Sequence, residues 1–186
     1  MIGKMKISRI LLLVFFCFTI SKAQNHYGNK NKLNFHSSLY SKITQQALGE
    51  LNLEEYSEFR LSLENQIKTK LPKDKAIIIS YHQVAHHCFH TKQKSKIQIQ
   101  KNILKLKELA ETENALVYFY YNPKSKLGTI LKNTIDYKKD TDYFFQQLFS
   151  NQDFCTAIFV VKPNREYMKY YGLKTEVEIR YFLDQK

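Results

Sequence analysis

The sequence predicts an α/β domain: a four-stranded mixed sheet with helices on both faces, preceded by an extra N-terminal helical segment. Three observations carry this. Ala76–Tyr81, Ala115–Tyr121, Thr156–Val161 and Glu166–Tyr171 are short runs rich in β-branched and aromatic residues, of strand length and strand composition. The first two are separated by a stretch with helical apolar spacing, so a helical crossover joins them and they run parallel. The last two are separated only by a turn at Pro163-Asn164-Arg165, so they run antiparallel.

The elements follow in chain order. Residues 1–23 have the three parts of a secretory leader: basic Lys4, Lys6 and Arg9, the apolar run Ile10–Ile20, and Ser21-Lys22-Ala23 with small residues at −3 and −1 of a cut before Gln24. The apolar run is too short to span a bilayer, which takes roughly 20 residues, so cleavage leaves no stable membrane anchor. Phe15 and Phe16 precede Cys17, where lipid attachment wants small residues. The expected destination is the periplasm or the extracellular space. Residues 24–51 read as a partly flexible lead-in, with a short helix over Ser37–Leu51 placing Leu39, Ile43, Ala47 and Leu51 on one face. The domain proper is expected over residues 52–186.

Asn52 and Glu55 form a capping-box pair, and Leu53, Tyr56, Phe59, Leu63, Ile67 and Leu71 recur every three or four residues up to Pro72. This helix, over residues 52–71, is expected across one edge of the sheet. Ala76–Tyr81 is continuously apolar, as in a strand buried on both faces. Ser95 and Gln98 suggest a second capping box, opening a helix that buries Ile99, Ile103, Leu106 and Ala110. After Ala115–Tyr121 comes a short helix over Thr141–Ser150 with Phe144, Phe145 and Leu148. Gly172 closes the fourth strand, and Thr175 with Glu178 starts a last helix burying Val177, Ile179, Phe182 and Leu183. The strand tyrosines 118, 120, 121, 167, 170 and 171 suit a half-buried sheet surface with wet hydroxyls, or a face for a partner protein.

Charge excludes little by itself. Loss of residues 1–23 removes four basic residues and no acids, taking the net charge from +12 to +8. The lysines are scattered and no basic run of five occurs, which argues against nucleic acid as a partner and for weak association with anionic surfaces.

From Ala76 onward the order strand, helix, strand, helix, strand, strand, helix is the minimal thioredoxin-like order. Residues 155–184 (CTAIFVVKPNREYMKYYGLKTEVEIRYFLD) resemble the C-terminal half of exported TlpA-like thioredoxin domains, and Lys75–Leu109 resembles their first strand, active-site loop and first helix. The resemblance covers roughly residues 70–186. It implies thiol–disulfide chemistry from two cysteines two residues apart at the start of the first helix. Here that stretch reads His82-Gln83-Val84-Ala85-His86-His87-Cys88-Phe89-His90, with one cysteine, and Cys155 stands where the family places a cis-proline. The redox site is degenerate or rebuilt.

In such a fold Cys88 and Cys155 come from loops that face each other, which implies a Cys88–Cys155 pair acting as a redox centre or as a staple. Were it an enzyme, a thiol-disulfide oxidoreductase, Cys88 would attack, His86 or His87 would lower its pKa, and Cys155 would resolve; the substrate would be a protein thiol. Two buried free cysteines are the remaining alternative. The competing class is a non-catalytic module that docks a protein partner or binds copper or zinc. Four histidines, His82, His86, His87 and His90, surround Cys88, and His82/His86 or His86/His90 would share a face if helical. A Cys–His pair is also the core of a hydrolase site, but no orienting third group is recognisable.

Overall fold

A computed structural model describes residues 45–84, 96–125, 127–141, 144, 148–149, 154–172 and 175–185. The chain divides after His36, and every described residue belongs to the unit that follows. The leader 1–23 lies outside the described residues, as does the lead-in up to residue 44.

Six strands form one mixed sheet among the described residues: β1 (Gln45–Glu50), β2 (Ala76–His82), β3 (Ala115–Tyr121), β4 (Tyr137–Lys139), β5 (Thr156–Val161) and β6 (Glu166–Tyr171), in the spatial order β1-β6-β5-β2-β3-β4. All seven residues of β2 are buried, as its mainly apolar run requires of a central strand. It runs parallel to β3 and antiparallel to β5, and β5 runs antiparallel to β6. The turn between β5 and β6 has Arg165 at φ 74°, with Asn164 Oδ1 accepting from Glu166 N at 3.1 Å.

The four-stranded expectation is corrected to six. The additional β4 pairs in parallel with β3 at the far edge. The expected helix over 37–51 is overturned in its described part, because Gln45–Glu50 pairs antiparallel with the whole of β6. Leu51 N donates to Arg165 O at 3.0 Å, and Arg165 meets Glu50 at 2.8 Å. The apolar spacing at Ala47 and Leu51 is weak local information, and a ladder along an otherwise open edge outweighs it.

Four helices are described: α1 (Leu53–Ile67), α2 (Lys96–Thr112), α3 (Gly128–Lys132) and α4 (Thr175–Asp184). The Asn52–Glu55 capping box is formed, with bonds of 2.8 and 2.9 Å. α1 ends four residues before the expected stop, at a left-handed Lys68 (φ 61°), because Glu64 reaches on to accept from Leu71 N at 2.9 Å. Nor does α1 lie across an edge: Phe59 and Leu63 pack on a face of the sheet against Ile77, Ile79, Phe159 and Val161. Val177, expected to be buried, is exposed on α4, while Ile179 and Phe182 are buried. Ser95 of the second expected cap lies outside the described residues. So does most of the expected helix 141–150, of which Phe144 is helical and buried. The helix described between β3 and β5 is α3, whose first residue must be glycine because a Cβ at Gly128 would lie 2.7 Å from Pro123 O.

The sheet separates two cores. One holds α2, α3 and α4 against Ile78, Phe119, Ile158, Val160, Met168 and Tyr170. The other holds α1, Phe144 and Phe149 against Tyr81, Tyr120, Phe159 and Tyr171. No helix among the described residues is long and apolar enough to cross a membrane.

Candidate functional site

The C-terminal end of β2 carries His82, one of the residues the sequence singles out. His82 closes the strand as a buried residue, its carbonyl accepting from Asn122 N at 2.7 Å and its ring 5.6 Å from that of Tyr137. Because His82 is a strand residue, the helical pairing with His86 does not describe it. Beyond His82 the chain continues the ladder for one more position. Gln83 N donates to Cys155 O at 3.0 Å, and the Gln83 side-chain amide donates to Phe154 O. Gln83 is buried, so these bonds fix the backbone at residues 154–155.

Cys155 itself is half-buried and disulfide-bonded. The other cysteines of the chain, Cys17 and Cys88, lie outside the described residues. So do His86, His87 and His90. Of the expected site, the structure therefore places His82 and Cys155 at neighbouring positions: His82 pairs with Thr156, the residue after Cys155. Strand alternation sends the two side chains to opposite faces. Among the described residues no group of three or more His, Cys, Asp or Glu could hold a metal ion.

On the face of residue 155, the Tyr81 hydroxyl donates to the buried carboxylate of Asp140 at 2.7 Å. Tyr81 stacks on Phe149 at 4.9 Å, and Phe154 lies 5.7 Å from Tyr171. Tyr120 is buried beside Phe144, its hydroxyl without a hydrogen-bond partner among the described residues, and burial pushes its pKa well up. This differs from the wet hydroxyls expected of strand tyrosines.

On the face of His82 lies a cleft of about 280 Å³ lined by Ser80, His82, Tyr137, Asn102, Thr156 and Glu176 over an apolar floor. Burial raises the Tyr137 pKa, against a hydrogen bond with Ser80 that lowers it, so the phenol stays protonated well above neutrality. Gly172, at φ 143°, turns the chain out of β6 at the cleft's rim.

Sequence reasoning missed Ser80, Gln83, Tyr137 and Asp140. Ser80 had a signal, being the one polar residue within an otherwise apolar strand run. The others are read only from the pairing of distant segments. No protein-family model matches the chain, and no characterised protein matches it.

Proposed function

We propose that this is an exported thioredoxin-like domain whose redox site is rebuilt around a Cys88–Cys155 disulfide, exchanging thiols and disulfides with partner proteins in the cell envelope. The observation that carries the reading is the disulfide at Cys155, on a backbone held by Gln83. Cys88 is five residues beyond Gln83, a length of chain that reaches roughly 17 Å when extended, ample for the 4.4–6.8 Å between Cα atoms of a disulfide. Cys17, the other candidate, falls within the predicted leader. Further support comes from the chain order β2-α2-β3-α3-β5-β6-α4, which matches the expected order in kind, with α3 in the place expected for a helix over residues 141–150 and β1 and β4 added at the edges.

In the reduced state the Cys88 thiolate attacks a disulfide of the partner protein, giving a mixed disulfide and releasing one partner thiolate. Cys155 then attacks the Cys88 sulfur, releasing the second partner thiolate and forming Cys88–Cys155. The partner gains two electrons, the pair loses two, and a dithiol reductant restores it. Histidines at 86 and 87 favour the thiolate by their positive charge.

The test is a thiol count on the denatured, metal-stripped mature protein. No free thiol before reduction and two afterwards are expected; two before reduction overturn the pairing. A reduction potential below about −300 mV would reduce the site to a structural staple. Cys155→Ser should lower stability by about 2–5 kcal/mol in urea titration, and reduced wild type should unfold at the same midpoint as the variant.

A further inference from the structure

The cleft beside His82 has a composition that the packing of the sheet does not call for. Along β2 the residues facing α2 and α4 are Ala76, Ile78, Ser80 and His82, so this face turns from aliphatic to polar at one end. Ser80 and His82 are 8% and 6% exposed, and Ser80 bonds the Tyr137 phenol while His82 meets the Tyr137 ring, so this polar end is built into the sheet. The neighbouring elements turn polar at the same level. β5 contributes Thr156 next to Ile158, α2 contributes Asn102 next to Ile103, and α4 opens with Thr175 and Glu176. The Thr156 and Thr175 hydroxyls make no hydrogen bond among the described residues.

The charge of the cleft narrows its ligand. Among the described residues no lysine or arginine lines it, and the carboxylate that does, Glu176, already lies 3.9 Å from Lys105. An anion would meet no lysine or arginine among the described residues there. Among the described residues a metal ion would find no ligand set. One wall is apolar and partly aromatic, from Phe119, Tyr137, Ile103 and Leu106. The volume, about 280 Å³, equals roughly nine waters of the liquid and falls at the small end of ligand sites.

We propose that this cleft binds a neutral, hydroxyl-rich ring of monosaccharide size. The C–H face of the ring lies against Tyr137 and Phe119, and its hydroxyls exchange hydrogen bonds with Ser80, Asn102, Thr156 and Thr175. The Tyr137 phenol, kept protonated by burial, serves as a donor across the neutral range. This site is independent of the Cys88–Cys155 reading and survives its failure.

The experiment is saturation-transfer NMR on the intact mature protein with D-glucose, D-galactose and N-acetyl-D-glucosamine, and with inorganic phosphate as the charged comparison. The chain has no tryptophan, so tyrosine fluorescence gives a second readout. At least one sugar should bind with a Kd of about 1–10 mM, and phosphate should not compete. Thr156→Leu, which fills the wall with an apolar side chain, should weaken binding at least about tenfold, a change of about 1.4 kcal/mol. Should that variant not fold, Asn102→Ala on the half-exposed side of α2 must show the loss instead. Ile135→Ser, at a site 98% exposed and not among the lining residues, should leave binding unchanged. Absence of transfer from all three sugars, competition by phosphate, or unchanged binding in the cleft variant overturns the proposal.

Discussion

The two faces of the sheet are built from different materials. Toward α2 and α4 the core is mainly Ile, Leu, Val and Ala, and helices cover it. Toward α1 more than half of the buried hydrophobic residues are aromatic, among them Phe59, Tyr81, Tyr120, Phe149, Phe159 and Tyr171. The difference matters because aliphatic side chains bury no polar atoms, whereas each buried tyrosine brings a hydroxyl that needs a partner. Both faces also bury charged groups, and Asp140 and Lys162 are held differently. The aromatic face holds Asp140 inside, against the Tyr81 hydroxyl. The aliphatic face holds Lys162 near its rim, with Nζ 4.6 Å from the Phe182 ring centre and within hydrogen-bonding distance of Gln185 O. The aromatic face, which also receives Cys155, should therefore tolerate change less.

Truncation tests that contrast most strongly. Phe159 and Val160 are adjacent in β5, fully buried, and point to opposite faces. Phe159 meets the rings of Phe59 at 5.4 Å and Tyr167 at 5.5 Å. Phe159→Ala should cost about 3–5 kcal/mol, and Val160→Ala about 2–3 kcal/mol. Urea denaturation of the pair measures both; equal losses would mean that ring interlocking adds nothing on the aromatic side.

The charged groups give the next contrast. Tyr81→Phe removes a donor to a buried carboxylate, a loss of about 1–3 kcal/mol. Lys162→Met removes a donor whose acceptors can turn to solvent: Glu166 is 3.2 Å away and exposed, and Gln185 is the chain's second-last residue. The methionine keeps most of the packing on Phe182. Its cost should be about 0.5–1.5 kcal/mol. A larger loss in the lysine variant than in the tyrosine variant would reverse the ranking of the two faces.

The same division explains what the sequence made legible. The aliphatic core announces itself locally: α2 repeats Ile99, Ile103, Leu106 and Ala110 at helical spacing, and β2 and β5 are apolar over most of their length. Four strands and the direction of their pairing follow from that pattern and from the lengths of the connections. The aromatic core is assembled from α1, from single residues such as Phe144 and Phe149, and from strands whose register no local signal sets. Edge strands are harder still. β1 has only Ala47 and Leu48 as apolar members, and β4 is three residues long, so both exist because a neighbouring strand offers unpaired backbone. Within the site, Cys155 and His82 could be picked out by residue type. Gln83 and Asp140 are ordinary polar residues until distant segments meet, and nothing in their local sequence marks them.

The smallest expected effect reads one phenol on each face at once. Burial raises the pKa of Tyr120 on the aromatic side and of Tyr137 beside the cleft. The unfolded chain titrates its tyrosines near 10, so above that value the unfolded state loses protons that the folded state keeps. Folded pKa values lying above the unfolded one give a stability that is whole below about pH 10 and falls as pH rises from there towards the folded values. At pH 10 each such phenol should cost about 0.4 kcal/mol, with the loss steepening beyond. Urea midpoints at pH 8, 9 and 10 should show it, and Tyr137→Phe should recover its own share only. Tyrosinate absorbance rising in full near pH 10 while the fold persists would mean that both hydroxyls reach water, and the polar atoms buried on the two faces would then be better solvated than their packing implies.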